Sequence, residues 1–298
     1  MSISAATRRA SRRRLSRREW NPDLSWPVGL GLIAPGLALL GLFLLWPLVR
    51  LISVSFRGSS THAYEKLFGS SADLESFKRT FAISALVTLA VIAIGIFLAW
   101  EMRTGAPAKR ATIAFLVVFP LMTSVVVRNY ALIVIFGRRG VINEALLGAG
   151  LVAKPIGILY TDTAVAIGMI YTLLPYAVLP LYASFVTIDL DLVRAAQSLG
   201  ASGVHAFRSV VIPLAVSSIF ATAALSFVLS LGFYITPIVL GSANNPFVAN
   251  RISNSVFVFF DLPHAAAAAL VLLGAALLCI GLTLRAVGLE RIQRAVAA

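Results

Sequence analysis

Few side chains in this 298-residue sequence are equipped for reaction chemistry. The single cysteine, Cys279, lies within an apolar run, so no intrachain disulfide can form and no cysteine metal cluster is implied. The three histidines, His62, His205 and His264, are scattered and give no spacing suited to a metal. None of the four lysines follows a glycine, so the Gly-x-x-x-x-Gly-Lys-Ser/Thr loop that cradles nucleotide phosphates is absent. Neither a Gly-x-Ser-x-Gly elbow nor a His-Glu-x-x-His pair occurs. The sequence therefore offers no catalytic residue, calls for no cofactor or metal, and supplies no means of using ATP by itself.

One charge stands inside an apolar run: Arg128, followed by Asn129 and Tyr130. An arginine at mid-bilayer costs about 2.5–3.5 kcal/mol on insertion scales. Two readings are open. Arg128 either snorkels from the outer part of its helix, or lines a polar translocation path or its outer gate with Asn129 and Tyr130. Tyr171, Tyr176, Phe233 and Tyr234 would add aromatic lining to such a path, or else serve as packing and as an interfacial belt.

The elements that must position these residues are membrane helices. Of the chain, 59% is apolar and only 12% charged, well below the quarter typical of soluble domains. Runs of about 20 apolar residues predict six spans near 28–49, 79–101, 111–136, 162–187, 209–240 and 264–285. The net charge of +13 does not mark a nucleic-acid partner, because seven arginines lie within residues 8–18 and the others border apolar runs. With a cytoplasmic N-terminus, the inside segments 1–27, 102–110, 188–208 and 286–298 hold 14 Arg and Lys against seven outside. That bias predicts both termini inside. The resulting division is a basic arm over 1–27 beside anionic membrane lipid, a six-span domain over 28–287, and a tail over 288–298.

Between the fourth and fifth spans, residues 189–214 read DLDLVRAAQSLGASGVHAFRSVVIPL. Asp189 suits the cap of a short helix with Leu192, Ala195, Ala196 and Leu199 on one stripe. Gly200 ends that helix, because glycine enters the left-handed conformation without steric cost. Ser202 caps a second helix, which carries Phe207 and runs through Pro213 into the next span. The pair of alanines would let another protein's backbone approach closely. A plain connector would also fit these features taken alone.

The order of residues narrows the choice. Ala195-Ala196, Leu199-Gly200-Ala201, Phe207 and Ile212-Pro213-Leu214 resemble the "EAA" loop of binding-protein-dependent ABC importer permeases. Arg194 stands where that family has glutamate, with Asp191 one helical turn earlier, and Ile212 and Pro213 are adjacent without an intervening leucine. Residues 34–48, 119–151, 174–188 and 233–254 resemble the spermidine/putrescine-type branch of the same family.

The resemblance implies an all-α, six-span permease of type I importer architecture in a bacterial inner membrane. It further implies a second permease subunit, two ATP-binding cassette ATPases and a periplasmic substrate-binding protein as partners. Residues 188–208 would form a cytoplasmic coupling loop that meets an ATPase through Asp191, Arg194, Ala195, Ala196, Leu199, Gly200, Ala201, Phe207 and Pro213. A polyamine is the expected substrate, with an opine, thiamine, ferric ion or phosphonate as alternatives. A secondary transporter is the competing class. It commonly carries internal repeats and intramembrane acids, and neither is visible here.

Overall fold

The structure, a computed structural model, describes residues 26–57 and 61–287. The basic arm expected over 1–27 lies outside the described residues except for its last two positions, and the tail over 288–298 lies wholly outside them. Regular structure among the described residues is helical throughout. The chain divides into two units after Arg50. In the first, α1 (Trp26–Leu40) continues through a π-helical stretch, Gly41–Leu45, into α2 (Trp46–Ser55), which passes into the second unit. Its apolar side chains, such as Leu37, Phe43 and Trp46, are uncovered, as expected of a helix solvated by lipid.

The second unit continues with α3 (His62–Gly69), α4 (Ser71–Thr104), α5 (Pro107–Met122), α6 (Val125–Phe136), α7 (Val141–Gly148) and α8 (Asp162–Val186). It is completed by α9 (Leu190–Ser198), α10 (Gly203–Ala206), a π-helical turn over Phe207–Val211, α11 (Ile212–Leu231), α12 (Ile235–Leu240), α13 (Val248–Phe257) and α14 (Leu262–Val287). Among the described residues five helices are long and apolar enough to cross a membrane, and a sixth span results if α5 and the helices after it count as one bent unit.

The centre of the second unit is the α4–α8 pair. Arg79 pairs with Asp162 at one end, and Arg103 donates to the carbonyls of Phe185 (3.2 Å) and Ile188 (3.3 Å) at the other. The separations match, 103 − 79 = 24 residues on α4 and 185 − 162 = 23 on α8, so the helices run parallel with their ends aligned. Arg103 thereby satisfies carbonyls at the negative end of α8. Close approach midway depends on Gly95, where an added Cβ would lie 3.1 Å from Leu181 and 3.3 Å from Ala177. On α4, Ser76, Thr80, Ser84 and Thr88 are buried at four-residue spacing, and on α11 so are Thr222, Ser226 and Ser230. Phe81 of α4 meets Phe227 of α11 at 6.1 Å between ring centroids. Small hydroxylated residues let membrane helices pack tightly where no hydrophobic force distinguishes protein from lipid.

Two predicted spans are corrected. The one over 111–136 is broken: α5 stops at Met122, and the chain resumes from Val125 at an angle of 109°. Thr123 and Ser124 take extended backbone there, and the Thr123 hydroxyl turns back to donate to the Pro120 carbonyl at 2.9 Å. The span over 209–240 ends at Leu231, and the chain restarts as the short α12. Pro237 suits the restart: it falls in the first turn of α12, where its missing N–H has no helical partner to lose.

Candidate functional site

The loop between α8 and α11 is built from its caps outward. The Asp189 side chain accepts from the Asp191 N–H at 2.9 Å and starts α9. At the far end the Gly200 N–H donates to Gln197 (2.9 Å) and the Ala201 N–H to Ala196 (3.1 Å), with Gly200 at φ +91°. This is a Schellman closure, and the positive φ makes glycine the residue that fits. Ser202 then caps α10 by accepting from the His205 N–H at 3.3 Å.

The loop has two faces, and the sequence pattern places some residues on the wrong one. Val193, Ala206, Val211 and Ala215 are buried against Ala99, Leu181 and Phe185 at the ends of α4 and α8, and Ala196 and Ala201 pack beside them. Phe207 also turns inward, 4.9 Å from the Trp100 ring and 6.3 Å from Phe185 between centroids. These residues fasten the loop to the membrane helices. The open face carries Leu192, Arg194, Ala195, Leu199 and Val204, and Leu199 is 90% exposed. Thus Ala196 leaves the expected outward stripe, while Leu192, Ala195 and Leu199 keep it. Arg194 donates to Asp191 at 2.7 Å on this open side, both side chains being exposed. Pro213 is exposed in the first turn of α11.

Arg128, Asn129 and Tyr130 follow the first helix break, Phe233 and Tyr234 lie at the second, and Tyr171 and Tyr176 stand on α8. Arg128 is 7% exposed, which overturns the snorkelling alternative. Its guanidinium reaches back to the end of α5, donating to the carbonyls of Pro120 and Thr123 (3.0 Å) and to the Thr172 hydroxyl on α8 (3.2 Å). Its Cζ lies 5.8 Å from the Tyr171 ring centroid. Helix-end carbonyls carry partial negative charge and have no water at membrane depth, so the fork both caps the break and gains a counter-charge. Asn129 is buried and donates to the Val125 carbonyl at 2.9 Å, within its own helix. Tyr130, Tyr171 and Tyr176 are exposed. At the second break Phe233 packs against the core around α8, while Tyr234 is exposed and hydrogen-bonds Ser253 at 3.2 Å. The structure therefore joins Arg128 to Tyr171, ties Asn129 to its own helix and packs Phe233 against the core.

Sequence reasoning missed a charged cluster at the end of the bundle where α3, α4, α13 and α14 meet: Lys66, Asp73, Arg251, Asp261 and His264. Its members come from four separate helix ends, so no local spacing announced it.

Residues 91–291, or 201 of 298, match the family described as the binding-protein-dependent transport system inner membrane component. The chain belongs to this family, as a multi-pass inner-membrane permease subunit of an ABC importer. It is similar to the spermidine/putrescine transport system permease protein PotB of Escherichia coli (strain K12), with 33% identity over 190 residues, 64% of this chain and 69% of that one. It is also similar to PotB of Haemophilus influenzae, with 31% identity over 234 residues, 76% of this chain and 82% of that one. Among solved structures, a chain of a bacterial alginate ABC transporter in complex with an alginate pentasaccharide-bound periplasmic protein matches with a TM-score of 0.77. The match covers 86% of this chain and 92% of that one at 18% identity, and so speaks for the fold alone.

Proposed function

We propose that this subunit forms half of a translocation path for a polyamine such as spermidine or putrescine, delivered by a periplasmic binding protein. Its partners are a second permease and two ATPases, which hydrolyse ATP on its behalf. The PotB relatives are named for these substrates. The observation that carries the coupling role is the split character of the loop. One face is bolted to α4 and α8 through Phe207 and Val193, and the other presents Leu192, Ala195 and Leu199 uncovered. A push on the open face is transmitted to the spans because the inner face is packed. The loop lies on the cytoplasmic side in this reading, with both chain termini.

Selectivity resides in the binding protein. A tight polyamine site within the membrane would require carboxylates as counter-ions. Among the described residues the acids cluster at helix ends and in loops, as with Asp162, Asp189 and Asp261, while the buried charge at the first break is Arg128. The test is uptake of labelled spermidine by the reconstituted importer. Uptake should saturate with the binding protein present and fall to background without it. Saturable, ATP-dependent uptake in its absence would place the discriminating site in the membrane.

A further inference from the structure

Both legs of the loop between α8 and α11 are held by a single turn of α4. Trp100 and Arg103 stand three residues apart there, and so share one side of the helix. Arg103 takes the first leg: its Nε donates to the Phe185 carbonyl at 3.2 Å and its Nη2 to the Ile188 carbonyl at 3.3 Å. Trp100 takes the second leg. It closes a triangle of rings with Phe185 (6.2 Å) and Phe207 (4.9 Å), whose third side is 6.3 Å between centroids.

Each anchor stands where the backbone would otherwise bend. Only Thr187, Ile188 and Asp189 separate α8 from α9. The Phe185 carbonyl belongs to the last turn of α8, and the Ile188 carbonyl immediately precedes the Asp189 cap of α9. The guanidinium therefore bridges the joint from one side to the other. On the second leg, Phe207 opens the π-helical turn Phe207–Val211. A π-turn is a place where a helix bends, and such turns often mark functional sites.

The turn of α4 is itself fixed. Arg110 of α5 donates through Nε to the Met102 carbonyl at 2.9 Å, and Lys109 pairs with Glu101. The two anchors thus belong to a frame made by α4, α5 and α8. We propose that Arg103, aided by Trp100, is a positioning residue for transport, which makes the loop move together with α4 and α8 when an ATPase displaces it. Without Arg103, a displacement of the open face of α9 is absorbed as bending of the three-residue joint; with it, the displacement reaches the packed spans. Arg103 acts through the Phe185 and Ile188 carbonyls. The inference rests on the coupling reading of the loop and adds to it a residue outside the loop.

The test uses the full importer in proteoliposomes and compares wild type with Arg103→Met and Arg103→Lys. Three quantities are read: the ATPase retained on the permease pair, labelled spermidine taken up per ATP hydrolysed, and hydrogen exchange over residues 185–191. Arg103→Met should retain the ATPase and still hydrolyse ATP. Its uptake per ATP should fall about tenfold, the scale of one lost hydrogen bond to a charged group, and exchange at the joint should quicken. Arg103→Lys keeps a charged donor and should recover much of the uptake. A merely structural loss would lower hydrolysis and uptake together and leave their ratio unchanged. Unchanged uptake per ATP in Arg103→Met, or unchanged exchange, would overturn the proposal. If Arg103→Met fails to assemble, Trp100→Leu opens the other anchor with the carbonyls still bridged; the same drop is expected there, and its absence is equally fatal. Retention of the ATPase by Ala195→Asp would refute the coupling reading itself. If wild type takes up no spermidine, the substrate reading fails and the exchange comparison decides.

Discussion

Arg128 shows how far a single residue can be read. Its sequence context marked it as costly, since a charge inside an apolar run must be offset by something. What offsets it was not legible, because the two carbonyls at the end of α5 become free only where the helix breaks. The structure makes Arg128 a brace for that break. Arg128→Met leaves buried carbonyls without a donor, each costing about 1–3 kcal/mol. The variant should therefore melt lower than wild type in detergent, with Arg128→Lys recovering part of the loss. Equal melting of Arg128→Met and wild type would show that the fork does not hold the break.

At the scale of elements, hydropathy located the five spanning helices found among the described residues but was blind to continuity. The run over 111–136 is apolar throughout, so nothing in its average betrays the turn at Thr123–Ser124, and the run over 209–240 hides the restart before Pro237 in the same way. The caps read better, because Asp189, Gly200 and Ser202 act through local hydrogen bonds and backbone geometry. The inward turn of Ala196 needed the position of α4 and α8, which no local pattern carries. Both breaks lead to one point on α8. An added Cβ at Gly168 would lie 2.7 Å from Leu240 and 2.9 Å from Thr236 on α12, and 3.4 Å from Leu132 on α6. Gly168→Val should therefore push α12 off α8 and cost about 1–3 kcal/mol by overpacking. Thermal unfolding of the purified variant measures this, and an unchanged melting temperature would mean that α12 yields freely.

At the scale of the molecule, the family and the helical, multi-span class were legible because they rest on composition and on a loop motif of fixed order. The charged cluster of Lys66, Asp73, Arg251, Asp261 and His264 was not, because 195 residues separate Lys66 from Asp261. The account as a whole rests on the open face of α9 meeting an ATPase. Ala195 is the small residue at the middle of that face, between Leu192 and Leu199, and it packs against nothing in the buried cluster. Ala195→Asp should thus leave insertion and melting unchanged while setting an unpaired carboxylate into a close contact, at a cost of about 3–5 kcal/mol. The most direct measurement is the amount of ATPase that co-purifies with the permease pair, read together with transport. The account predicts that Ala195→Asp loses ATPase binding by a hundredfold or more, since every 1.4 kcal/mol is about tenfold. Wild-type retention of the ATPase, with transport intact, would contradict it.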